Sequence, residues 1–152
     1  MMFFVASTWS LAAANGNASQ TVTFSVQAVN EIALAGDWNI TREKTVTVHS
    51  QTVKIIEATS TYRITTNEEH KKITGVLNTA LPKDSGLLIS LEAPSGASSA
   101  GGVFLKSTPA DLVTGVSKVA ESQKMIRYTY TTPANVQITA PLWQMITLTI
   151  TN

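Results

Sequence analysis

Apolar and polar residues alternate over residues 20–34 (QTVTFSVQAVNEIAL). Val22, Phe24, Val26, Ala28, Ile32 and Leu34 share one parity, and Thr21, Thr23, Ser25 and Gln27 take the other. A period of two gives an extended strand one apolar and one polar face, and such a strand needs a sheet to lie against. Asn30 interrupts the apolar face beside Val29 on the opposite parity. That break predicts a bulge, or a passage from one sheet to another.

The alternation recurs down the chain between turn signals. Residues 36–39 (GDWN) carry turn chemistry. Strands are predicted at 45–48 and 52–56, and their change of parity calls for a bulge or a two-residue turn at 49–51. Residues 60–66 with Tyr62 and Ile64 inward, a polar turn at 67–70, and residues 71–77 with Ile73 and Leu77 inward together predict a β-hairpin. Residues 82–86 (PKDSG) form a turn, because Pro sets φ at its start and Gly frees it at its end. Leu87, Ile89 and Leu91 then mark a strand, followed by an exposed small-residue loop at 94–102 and the apolar Val103, Phe104 and Leu105. Ile126, Tyr128 and Tyr130 line one face of a strand at 124–131, and Ile146, Leu148 and Ile150 one face of a last strand at 144–151.

Residues 107–115 (STPADLVTG) carry the one helical signal. Thr108 can cap, Pro109 suits the first helical position, Asp111 favours the N-terminal dipole and Gly115 can end the turn. Eight or nine short strands and one or two helical turns predict an all-β chain: a two-sheet antiparallel immunoglobulin-like β-sandwich with one short helical turn. A closed barrel is the alternative.

Composition reinforces this class, since Thr is the commonest residue and β-branched side chains suit a pleated, half-buried surface. The chain has no Cys, so packing and sheet hydrogen bonds must hold it without disulfides. A formal net charge of +1 with interspersed signs gives no footprint for nucleic acid or for an acidic membrane surface.

Residues 1–18 read as an export segment. Residues 3–14 (FFVASTWSLAAA) are uncharged and apolar but shorter than the ~20 residues that cross a bilayer. They end in small residues that suit signal-peptidase cleavage after Ala14 or Ala18, although Met1 and Met2 bring no basic residue before them. Residues 19–152 then form a single domain with no membrane span, located outside the cell or on its surface.

No catalytic, cofactor-binding or metal-ligating set emerges. His49 and His70 both fall in polar turns, and the neighbours Glu68 and Glu69 point apart beside Lys71 and Lys72. No Ser sits in a strand-to-helix elbow, and Gly101 and Gly102 do not open a phosphate-binding helix. The chain reads as a non-enzyme. Trp38 and Trp143 lie near turns, where aromatics either stack on sugars or pack at the core rim.

Across residues 60–130 the order of features resembles that of pilin-type fimbrial subunits, in particular the alternate chaperone–usher, colonisation-factor class. The resemblance rests on residues 62–67 (YRITTN), residues 71–73 (KKI), residues 105–112 (LKSTPADL) leading to a strand near Ile126, and an alternating strand at the mature N-terminus. It implies that the first strand, residues 20–28, is donated to the incomplete sandwich of another copy, with Val22, Phe24, Val26 and Ala28 as groove-filling residues. The function it implies is a structural subunit of a filament built from copies of the same chain. The alternative is a self-contained secreted module that binds carbohydrate or protein.

Overall fold

The computed structural model describes residues 23, 25–136 and 146–152, apart from the side chains of residues 36–38 and 48. Strand β1 (Asn30–Val48) and strand β2 (Gln51–Thr66) form a long antiparallel hairpin. His49 and Ser50 reverse the chain with φ of 47° and 66°. Two successive left-handed residues make a primed turn whose twist matches that of the flanking strands. The change of parity at 49–51 is therefore a turn and not a bulge.

The turn expected at 36–39 does not form. β1 runs on, and its surplus residues are absorbed as register shifts between Ala35 and Asn39 and between Ile40 and Arg42. Residues that tolerate a reversal also tolerate a bulge, and the continuous ladder with β2 selects the bulge. The irregularity expected beside Asn30 thus lies further along, and Asn30 itself pairs with Thr66.

β2 also pairs with β8 (Val119–Pro133). β8 pairs with β4 (Gly86–Leu91), and β4 with the short β6 (Val103–Phe104). This makes a five-stranded sheet in the order β1-β2-β8-β4-β6. The facing sheet has four strands: β5 (Ser98–Ser99), β7 (Ala110–Val116), β3 (Lys71–Leu77) and β9 (Ile146–Thr151), in the order β5-β7-β3-β9. All pairings are antiparallel, and the molecule is an all-β two-sheet sandwich.

The inward faces of β2, β3, β4 and β8 are those the alternation marks, and β7 adds three more buried residues. Tyr62, Ile64, Leu87, Ile89, Leu91, Ile126 and Tyr130 from the larger sheet are buried against Ile73, Leu112, Val113 and Val116 from the smaller. Each large side chain so buried stabilises the fold by roughly 1.5–3 kcal/mol.

Two expectations are corrected by pairing between distant parts of the chain. The segments at 60–66 and 71–77 are not a hairpin, because β2 takes β1 and β8 as neighbours while β3 takes β7 and β9. The 67–70 connection carries the chain across to the other sheet, so Ile64 and Ile73 belong to opposite layers of one core. The helical turn expected at 107–115 is absent, and the described residues contain no helix. Leu112, Val113 and Val116 need to be inward, and β3 supplies the backbone partners that a helix would have supplied internally. Gly115, at φ 75°, lies where β7 carries one more residue than β3 and serves a bulge instead of a helix end.

One side of the sandwich is sealed. The chain passes from β5 in the smaller sheet to β6 in the larger, and the 94–102 stretch expected as an exposed loop is pinned by this crossing. The Ala100 N–H donates to the Leu112 carbonyl at 2.8 Å and the Leu105 N–H to the Leu87 carbonyl at 2.9 Å. The Ser99 hydroxyl donates to the Leu91 carbonyl at 2.6 Å. Leu105 is buried beneath the crossing, beside Gly75. A Cβ on Gly75 would lie 2.7 Å from Leu112 Cδ1 and 3.1 Å from Leu105 Cδ2.

An ionic cluster joins β8 to the start of this crossing. Lys124 Nζ lies 2.7 Å from Glu121 and 3.6 Å from Glu92. The Ser95 backbone N–H donates to Glu121 at 2.8 Å, and the Met125 N–H to Glu92 at 3.1 Å. The hydrogen bonds from Lys124 and then Ser95 hold the Glu121 carboxyl down at about 2. Nearby, the buried Tyr62 hydroxyl donates to the Glu92 carbonyl at 2.5 Å, and burial raises its pKa.

Two predictions follow from this packing. Gly75→Ala should destabilise the domain by about 1–3 kcal/mol, the usual cost of overpacking, read as a lower urea midpoint at unchanged slope. Because Glu121 titrates lower in the folded state than its unfolded value of about 4.3, its stabilisation is present above that value and lost as pH falls toward 2. Screening at the surface reduces this to about 1 kcal/mol. Glu121→Gln should therefore be less stable at pH 7 and should lose less stability than the parent between pH 5 and pH 2. Identical acid profiles would contradict the assignment.

Candidate functional site

On the opposite side no crossing strand joins the sheets among the described residues. β1 is the outer strand of the larger sheet and β9 the outer strand of the smaller, and the two are not hydrogen-bonded to each other. Among the described residues, no strand pairs with the free edge of β9. The inward faces of the two edges form the lips of a groove.

Register makes the opening visible. Ile64 and Tyr62 of β2 are fully buried, and their partners on β1 are Ile32 and Leu34. Leu34 faces the same way as Tyr62 yet is 47 % exposed. Ile40, opposite the buried Ala58, is 54 % exposed. The cover supplied by the smaller sheet therefore ends between β2 and β1. On the other lip, Ile146 and Leu148 of β9 are half-buried and pack against the core margin. Tyr128 forms part of the lining, with its hydroxyl 3.1 Å from that of Ser60.

Ile32, Leu34, Tyr128, Ile146 and Leu148 line a cleft of about 90 Å³. Pockets for drug-sized ligands run to roughly 300–1,000 Å³ and place polar groups among their apolar walls. The lining side chains of this cleft are mostly apolar and sit at alternate positions on the two edge strands, Ile32 and Leu34 on β1 and Ile146 and Leu148 on β9. Its chemistry suits apolar side chains presented at alternate positions by an extended segment whose backbone pairs with the edge of β9.

Residues 25–29 belong to no strand, and Val26 and Ala28 are exposed, Val26 by 79 %. Asn67 holds the segment where it leaves the domain. The Val29 N–H donates to Asn67 Oδ1 at 2.8 Å, Asn67 Nδ2 donates to the Gln27 carbonyl at 2.7 Å, and the Asn67 backbone N–H donates to the Val29 carbonyl at 3.2 Å. Val22 and Phe24 lie outside the described residues, as do Trp143, the side chain of Trp38 and residues 1–18, where an export segment is expected.

The candidate chemistry is dispersed. His49 and His70 are exposed in turns, and no three His, Cys, Asp or Glu side chains converge among the described residues. Glu68 and Glu69 diverge, the first to Asn30 and Lys71 and the second to Lys118. Those hydrogen bonds lower both carboxyl pKa values. No helix among the described residues is long and apolar enough to cross a membrane.

Alternation alone identified neither the residues that line the cleft nor the role of Asn67. Ile32 and Leu34 carry the same alternation as the fully buried strands, and nothing local distinguishes an inward face that is covered from one that is not. Asn67 reads only as a polar turn residue. Comparison with known proteins finds no matching family model, no similar curated protein and no similar solved structure.

The open groove predicts a contrast between two inward positions. At low protein concentration Leu34→Ala should cost less than about 1 kcal/mol, because half of the side chain is already in water. Ile64→Ala, on the adjacent strand, should cost about 2–5 kcal/mol. Equal losses in chemical denaturation would mean that the groove is filled.

Proposed function

We propose that the protein is a non-enzymatic structural subunit of an extracellular filament or cell-surface assembly, linked to copies of itself by donation of the N-terminal strand. The observation that carries this reading is the coincidence of an apolar cleft, beside a β9 edge that no described strand pairs, with residues 25–29, which belong to no strand and expose Val26 and Ala28. An exposed sheet edge is a template for pairing and an aggregation hazard unless it is occupied. A neighbour's residues 20–28 would satisfy the β9 backbone and place Val22, Phe24, Val26 and Ala28 against Ile32, Leu34, Ile146 and Leu148. The reading also takes the protein to be exported, with residues 1–18 removed.

Deleting residues 19–28 should leave a folded monomer that no longer polymerises and that takes up a peptide of those residues. Peptide uptake is measured by titration calorimetry and assembly by analytical ultracentrifugation. An arm-deleted protein that fails to fold would mean the strand belongs to its own domain. A folded one that ignores the peptide would leave the secreted binding module, with Trp38 and Trp143 as its platform, as the better reading.

A further inference from the structure

An apolar arm next to an apolar cleft on the same molecule would ordinarily fill that cleft itself, because the effective concentration within one chain reaches the millimolar range. We propose that Asn67 is the clamp that directs the N-terminal arm out of its own domain and makes groove filling an event between two copies. This deepens the strand-donation reading and rests on it.

A side-chain amide offers one acceptor and two donor hydrogens. At Asn67 these take the places that another residue of β2 would have occupied, so the ladder to the arm continues past Thr66 as far as Gln27. The clamp is itself held from both sides. The Thr66 hydroxyl donates to Asn30 Oδ1 at 2.7 Å and accepts from the Glu68 N–H at 3.1 Å. Asn30 Nδ2 donates to Glu68 at 2.5 Å, and Lys71 Nζ lies 2.8 Å from the same carboxylate. Lys71, buried at the start of β3, also donates to Asn152 Oδ1 just past the end of β9. The exit point of the arm is thereby tied to both sheets.

The geometry then limits what the arm can reach. Residues 27–29 continue the line of β1 beyond Asn30, away from Ile32 and Leu34. A return toward the domain must turn at or before residues 25–26. A two-residue reversal there sets residue 24 opposite Gln27, residue 22 opposite Val29 and residue 20 opposite Glu31. Val26 and Ala28 cannot then enter the groove of their own chain, and only residues before Gln20 would lie beside Leu34. A neighbouring copy has no such limit. Residues 20–28 extend about 30 Å at the rise of a strand, enough to run the length of β9, which has 6 residues.

The absence of Cys from the chain permits a direct test. The double variant Val26→Cys, Leu148→Cys is oxidised, and interchain and intrachain disulfides are separated on a non-reducing gel. With Asn67 in place the products should be interchain ladders. Adding Asn67→Ala removes two hydrogen bonds to the arm and should shift the ratio toward the intrachain monomer by about tenfold. Asn67→Asp keeps the acceptor for Val29 but loses the donor to Gln27, and it should fall between the two. Asn67 is exposed, so an unchanged melting temperature verifies that each variant is folded. A ratio that ignores Asn67→Ala, or intrachain product predominating with Asn67 present, overturns the clamp. If the arm-deleted domain still takes up the arm peptide, strand donation survives that result. Absence of any cross-link, together with no peptide uptake, overturns both.

Discussion

The structure depends on how far one sheet can cover the other. A strand with one apolar face gains most of its stability by laying that face on a second layer. Here the larger sheet has 5 strands and the smaller 4. β2, β8 and β4 lie under full cover, and their inward residues are buried almost completely. β1 carries the same kind of face and lies where the cover stops. The groove is therefore a consequence of layer width, with no residue dedicated to making it.

The two margins of the sandwich treat the same problem differently. On the β5/β6 side a short crossing pairs with each sheet in turn and lowers Leu105 into the gap, with Gly75 leaving room for it. On the β1/β9 side the described residues supply no such plug, and the lips expose Leu34 and Ile40. One margin is sealed by a crossing, and no described strand closes the other. At this side Gln27 is bonded to Asn67, and Asn152 is bonded to Lys71 four residues further on.

Polar groups at these margins are spent on fixing directions. Among the described residues no buried side-chain nitrogen or oxygen lacks a partner. The Thr66–Asn30–Glu68–Lys71 chain of contacts holds the crossing between sheets, and the Glu92–Glu121–Lys124 cluster holds the base of the sealed crossing. Surface pairs of this kind add little to net stability.

What the sequence determined by itself was local. Alternation with period two identified most of the strands, many of their inward residues and the all-β class, because the side chain's face follows from its position in the strand alone. Tyr62, Ile64, Ile73, Leu87, Ile89, Leu91, Ile126 and Tyr130 are all inward as the pattern requires. Tertiary structure decided the rest. Residues 107–115 carry helix-capping signals worth about 1 kcal/mol each, and these yield to the burial of Leu112, Val113 and Val116 in a strand. Residues 60–77 carry a pattern equally compatible with a hairpin and with two facing layers, and only the competing partners of β2 and β3 choose between them. Ile32 and Leu34 repeat the alternation of a core strand, but whether such a face is covered depends on a sheet formed by residues about 40 to 120 positions away. Periodicity is written within a strand, whereas coverage belongs to the layer opposite.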